Sequence, residues 1–171
     1  MTLQDKSQVL KLMIVEDYDS TRELVAMALD GEPYELTLCR NGTDALHKFL
    51  DSYRCDPHAG ILMDLALPDI NGMRVMRAIR EIEKGSHTGC VPIRFGLATA
   101  QSESIDGTSA LDSLGVTLHL DKPFFPRDPD PFTRLRMSIS EWIHAAPPAL
   151  YDSGSLNGAH ILQAAQAAQA H

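Results

Sequence analysis

Apolar and polar positions along this chain alternate between two spacings. LKLMIVE (10–16) is an almost unbroken apolar run that stops at acids, as expected of a strand buried on both faces of a parallel sheet. DSTRELVAMALD (19–30) then switches to helical spacing through Leu24, Val25, Ala28 and Leu29. Asp19 or Ser20 is placed to cap that helix, with Glu23 as a capping-box partner to Ser20. YELTLCR (34–40) alternates like a strand, and GTDALHKFLDSY (42–53) lines up Ala45, Leu46, Phe49 and Leu50 on one helical face. AGILMD (59–64) is a second fully apolar strand. GMRVMRAIREIEKG (72–85) sets Met76, Ile79 and Ile82 against Arg74, Arg77, Arg80 and Glu81. VPIRFGLAT (91–99) reads as a strand, SESIDGTSALDSLG (102–115) as a weak helix, and VTLHL (116–120) as a fifth strand. DPFTRLRMSISEWIHAA (130–146) closes the pattern with Phe132, Leu135, Ile139, Trp142, Ile143 and Ala146 on one stripe. Five strand–helix pairs predict an α/β fold, a doubly wound parallel sheet with helices on both faces.

Composition narrows the function classes. The chain has 171 residues, a net charge of −8, and no Lys/Arg cluster, which argues against nucleic acid as a main partner. No apolar run approaches the roughly 18 residues of a membrane span, and the first residues lack a secretory pattern. Cys39, Cys55 and Cys90 are odd in number and without CxxC spacing, so small buried thiols in a reducing cytoplasm are expected. The seven histidines show no ligand spacing on a common face, which disfavours a zinc site.

Chemistry gathers at the strand ends. Functional groups of open α/β sheets collect at the carboxyl edge. Here the first strand ends in Glu16 and Asp17, the third in Asp64 and the fourth in Thr99, while Lys122 and Pro123 follow the fifth. Three carboxylates at one edge repel each other unless a hard divalent cation joins them, and Mg²⁺ suits oxygen ligands that leave room for phosphate oxygens. A hydroxyl and an ammonium beside them fit a phosphoryl group, and a carboxylate at a strand end is then placed as a nucleophile toward phosphorus.

The stretches MIVEDYDSTREL, GILMDLALPDINGM, LATA and LHLDKPF (with the spacing VEDxxxxR in the first) stand in the order and near the spacing of a known family. Across about residues 10 to 146 the chain resembles the receiver domain of two-component response regulators, the CheY-like proteins. The resemblance implies a flavodoxin-like sheet in the order 2-1-3-4-5. It implies Asp64 as phosphoacceptor, and Glu16 and Asp17 as the acidic pair for Mg²⁺, with Asp17 the direct ligand and the backbone carbonyl of Ala66 a further one. It makes Thr99 the hydroxyl and Lys122 the lysine that engage the phosphoryl group, and Pro123 the site of a cis peptide. Pro68 and Gly72 match the turn after the third strand.

The implied protein is no classical enzyme. It takes a phosphoryl group from a sensor histidine kinase or a histidine phosphotransfer protein and signals to a downstream protein target, without nucleic acid or membrane contact, in the cytoplasm. Three departures qualify the match. Arg94 and Gly96 fall inside the fourth strand, where local distortion or edge-like exposure is expected. His119 stands where the family commonly has Tyr or Phe, which puts the inward movement of that ring in question. A flavodoxin-type cofactor is disfavoured by the acidic first loop EDYDSTRE.

Past residue 146 the composition changes. The segment 147–171 starts with a Pro- and Gly-containing linker and ends in AHILQAAQAAQAH, a stretch of high helix propensity and little bulk. It is too short for a DNA-binding domain, so the expectation is a receiver over 1–146 acting as a stand-alone response regulator. A disordered tail fits this composition, as does a tail docked on a partner such as a second copy in a homodimer. The competing class is a receiver-fold interaction or dimerisation protein that does not switch.

Overall fold

Five strands and five helices alternate along the chain in the computed structural model, which describes residues 9–86, 91–100, 108–124, 130–146, 148 and 150. They are β1 (Leu10–Val15), α1 (Asp19–Ala28), β2 (Tyr34–Cys39), α2 (Gly42–Ser52), β3 (Gly60–Met63), α3 (Gly72–Gly85), β4 (Arg94–Thr99), α4 (Thr108–Ser113), β5 (Val116–Asp121) and α5 (Pro131–His144). The sheet is parallel in the order β2-β1-β3-β4-β5, the doubly wound order with its switch point between β1 and β3.

Alternate residues of β1 serve opposite layers. Leu12 and Ile14 pack with Val25, Leu29, Leu135, Ile139 and Trp142 under α1 and α5. Met13 and Val15 pack with Phe49, Met76, Ile79 and Phe95 under α2 and α3. Two-sided burial explains why β1 and β3 read as continuous apolar runs rather than alternating ones.

Several elements differ from the sequence pattern. The N-cap of α1 is Tyr18 and makes no side-chain cap. The Ser20–Glu23 capping box does not form, because the helix already starts at Asp19 and Ser20 lies inside its first turn; Asp19, the other candidate cap, pairs with Arg22 instead. Strand β4 is not edge-like: it lies between β3 and β5, and Phe95 to Thr99 are buried. The expected distortion is local, a register shift against β5 at Phe95/Gly96. A Cβ at Gly96 would lie 3.2 Å from both Leu118 and Leu62 side chains, so glycine there permits close strand packing. Of the expected fourth helix, Thr108–Ser113 is seen, and 102–107 fall outside the described residues, as does the Ala-rich stretch from 159. Cys39 is buried, and burial pushes its thiol up to about 12, whereas Cys55 is exposed. Leu50 and Ala146, assigned to apolar faces, are exposed as well.

The largest correction concerns α3. Arg80, assigned to the solvent face, is 3% exposed. Its Nη1–H donates to Glu83 Oε2 (2.5 Å), its Nε–H to the Leu114 carbonyl (2.9 Å) and its Nη2–H to the Ile93 carbonyl (2.8 Å). The guanidinium lies 4.2 Å above the Phe95 ring. Glu83 in turn accepts the Ile93 N–H at 2.7 Å. The pair ties α3 to the entry of β4 and to the turn after α4. A long polar side chain can sit inside an apolar stripe when every donor finds an acceptor.

A second buried polar group was invisible in the pattern. His58, 7% exposed, lies between Ser52 of α2 (Nδ1 to Oγ, 3.0 Å) and Thr37 of β2 (Nε2 to Oγ1, 2.8 Å). Ser52 Oγ–H donates to the Lys48 carbonyl, so its oxygen accepts from Nδ1–H and the neutral ring is served. Burial, and next the charge of Lys11, lower the His58 pKa against the pull of Asp56 and Glu35. The unfolded ring titrates near about 6.5, so its contribution is intact above that pH and is lost as pH falls toward the lower folded value. Urea unfolding at pH 7.5 and 5.5 is expected to show wild type losing more stability than His58→Gln between the two. Parallel losses in the two proteins would refute this role.

Candidate functional site

The ladder bonds of the sheet run one residue past the strands and fix what stands at their ends. The Glu16 N–H donates to the Cys39 carbonyl (3.1 Å) and the Asp64 N–H to the Val15 carbonyl (2.9 Å). Glu16 and Asp64 therefore emerge from neighbouring strands at the switch point. On the other side the Lys122 N–H donates to the Thr99 carbonyl at 3.0 Å, bringing the β5 exit beside the end of β4.

Three carboxylates meet there. Glu16, Asp17 and Asp64 each offer an oxygen, and these oxygens lie within 4.8 Å of one another. Glu16 and Asp64 are buried, and Asp17 is half-buried. Lys122 reaches in from β5: its ammonium donates to Asp64 Oδ2 at 2.5 Å and pairs with Glu16 Oε2. The Ala66 N–H donates to the other Asp64 oxygen at 3.1 Å, and the Tyr18 N–H to Glu16 Oε1 at 3.3 Å. Burial raises the Glu16 pKa, Lys122 opposes that, and the nearby Asp64 adds to it. Asp17 Oδ1 is buried without a hydrogen-bond partner. An orphaned carboxylate oxygen beside two like charges is the arrangement a hard cation resolves, and an all-oxygen donor set fits Mg²⁺.

The loop from β3 to α3 is built around Asp64. The Gly72 N–H donates to the Leu65 carbonyl at 3.0 Å, and a Cβ on Gly72 would overlap the Asp64 carbonyl oxygen. This close approach requires glycine. Asp69, in the same loop, accepts the N–H groups of Gly42 (2.9 Å) and Thr43 (2.8 Å) at the start of α2. Partial burial would raise the Asp69 pKa, but hydrogen bonds from Thr43, Ile70 and Gly42 outweigh it and hold the carboxyl at about 2.

Thr99 is buried at the end of β4, the Lys122–Pro123 peptide is cis, and Ala66 and Pro68 are exposed. His119 is exposed on β5 rather than turned into the sheet. Two site-building residues were missed. Arg22 is buried in α1, and its place in VEDxxxxR and its spacing from Val25 and Leu29 were the available signals. Asp69 had no local signal, because its partners lie 26 and 27 residues away.

The fold thus gathers three acids and a lysine at its switch point. The sequence model of the response regulator receiver domain family matches residues 12–129, and the chain belongs to that family. It is 31% identical over 118 residues to the transcriptional regulatory protein CpxR homolog of Haemophilus influenzae, covering 69% of this chain and 46% of that protein. The chain thus spans less than half the length of this curated relative. Among solved structures, the Mn²⁺-bound response regulator Rcp1 matches with a TM-score of 0.59 and 26% identity, over 82% of this chain and 99% of that one. The receiver domain of Ssk1 from Saccharomyces cerevisiae, solved with the phosphotransfer protein Ypd1, matches in fold with a TM-score of 0.65 and 23% identity, over 84% and 95%. Receiver domains are signalling modules, and this one carries the acidic pocket of its family. Among the described residues no helix is long and apolar enough to cross a membrane.

Proposed function

We propose that this chain is a switchable receiver that accepts a phosphoryl group on Asp64 and signals through protein contacts. The observation that carries the reading is the convergence of Asp17, Asp64, Thr99 and Lys122 at one sheet edge, with an orphaned carboxylate oxygen among them. Glu16, Asp17, Asp64 and the Ala66 carbonyl would hold Mg²⁺. Once bound, the cation supplies positive charge against the phosphoryl oxygens.

One Asp64 oxygen attacks phosphorus, its bond to phosphorus forms, and the donor's bond to phosphorus breaks with the electron pair leaving on the donor. Lys122 then exchanges its hold on the Asp64 carboxylate for a phosphoryl oxygen, and the Thr99 hydroxyl, buried at the end of β4, would serve the same group. The donor class is a phosphohistidine on a sensor kinase or phosphotransfer protein, of the kind the Ssk1 receiver meets in its complex with Ypd1. This reading puts the chain in the cytoplasm with that donor. It leaves aside the transcriptional output of the longer relatives.

The test is incubation with a small acyl phosphate and Mg²⁺, read by intact mass. One phosphoryl group is expected with Mg²⁺ and none with EDTA; labelling that ignores EDTA would overturn the reading. Mg²⁺ is also expected to raise thermal stability by roughly 1.4 kcal/mol at ten times its Kd. Asp17→Asn should blunt that rise, and an unchanged melting curve of the wild type in millimolar Mg²⁺ would argue against a cation site.

The second reading is a non-switching interaction protein. It draws on exposed His119 in place of an aromatic ring. That reading expects labelling without any change in hydrogen exchange over residues 108–124.

A further inference from the structure

We propose that Arg22 is a positioning residue of the cation site: its guanidinium fixes the β1–α1 loop so that Glu16 and Asp17 present their carboxylates toward Asp64. This rests on the phosphoacceptor reading above. Arg22 is 5% exposed, and arginine is seldom buried so deeply unless paired. Its Nη1–H donates to the Glu16 carbonyl at 2.5 Å, and its Nη2–H to the Asp19 carboxylate. Its own backbone N–H donates to the Tyr18 carbonyl at 3.1 Å. One residue therefore grips the loop before, within and after the turn that carries Asp17.

The loop needs this grip. No side chain caps α1. The carboxylates of Glu16, Asp17 and Asp64 repel each other across less than 4.8 Å, and nothing hydrogen-bonded holds Asp17 Oδ1. Other restraints on the segment are the Glu16 N–H to the Cys39 carbonyl, the Tyr18 N–H to Glu16 Oε1, the Lys122–Glu16 ion pair and a 3.9 Å contact of Arg40 with Asp19, and none of them holds the Glu16 carbonyl. Without Arg22 the Glu16 carbonyl loses a buried donor, and the main chain that carries Asp17 is free to shift while Lys122 still holds Glu16 and Asp64. The planar fork of arginine spans two acceptors at once, which the compact lysine ammonium cannot do. The guanidinium bonds run to the Glu16 main chain and to Asp19, so Arg22 acts through the loop.

Electrostatics gives the test its sign. Removing a positive charge beside a cation site tightens cation binding if the geometry is unchanged. Loss of positioning weakens it. The experiment titrates the protein with Mn²⁺, followed by water-proton relaxation, together with melting in EDTA. Arg22→Met is expected to weaken Mn²⁺ binding about tenfold, the scale of outer-shell changes at metal sites. Arg22→Lys, which keeps the charge, is expected to weaken it too and to cover the case in which Arg22→Met does not fold. Mn²⁺ affinity equal to or tighter than wild type in a folded variant, whatever its melting point, would overturn the positioning role alone. A wild type that binds no Mn²⁺ would overturn the phosphoacceptor reading and this inference with it.

Discussion

Incubated with a small acyl phosphate and Mg²⁺, the Asp64→Asn protein is expected to gain no phosphoryl group, while wild type is expected to gain one. The substitution preserves shape, so it isolates the nucleophile. Asp64 is buried at the carboxyl end of β3, with one oxygen held by the Ala66 N–H and the other by Lys122. An amide in that place has no anionic oxygen to attack phosphorus, and its nitrogen lone pair is delocalised. The difference should therefore be complete within detection, and the label in wild type should map to the peptide containing residues 60–73. Equal labelling of Asp64→Asn would mean that another group, such as an exposed histidine, takes the phosphate. The acid-labile character expected of an acyl phosphate separates the aspartate from a hydroxyl acceptor in the same sample.

The largest effect on stability is expected at Arg80. Arg80→Met keeps length and apolar volume but removes the guanidinium charge that Glu83 meets at 2.5 Å. It also strips the Leu114 and Ile93 carbonyls of donors at 2.9 and 2.8 Å and removes the cation from the Phe95 face. Breaking a buried pair from one side costs about 3–5 kcal/mol, against a typical domain stability of about 5–15 kcal/mol. Urea unfolding should show that loss. The double variant Arg80→Met with Glu83→Leu should recover much of it, because much of the cost lies in a buried carboxylate that has lost the Arg80 charge. A single-variant loss below about 1 kcal/mol would show that the pair is solvated in solution and does not clamp β4 to the α4–β5 turn.

The sequence alone determined the strand–helix alternation and the grouping of Asp17, Asp64, Thr99 and Lys122 at one edge. Both follow from local regularities: buried parallel strands are apolar without interruption, and chain direction in a parallel sheet sends every strand end to the same side. Tertiary structure decided what depends on partners far along the chain. Arg80 reads as solvent-facing because Arg is polar, and the carbonyls of Ile93 and Leu114, 13 and 34 residues away, together with Glu83 and the Phe95 ring, make its burial favourable. Asp19 reads as a helix cap until Arg22, drawn inward by the Glu16 carbonyl, claims its carboxylate. Asp69 caps a helix that precedes it by 26 and 27 residues, and His58 finds its hydroxyls on α2 and β2. Gly96, a weak point in an isolated strand, is what lets Leu62 and Leu118 close on β4. Apolar periodicity records which face of each element is buried. Which polar groups can follow it inside is set by hydrogen-bond partners that only the folded chain brings within reach.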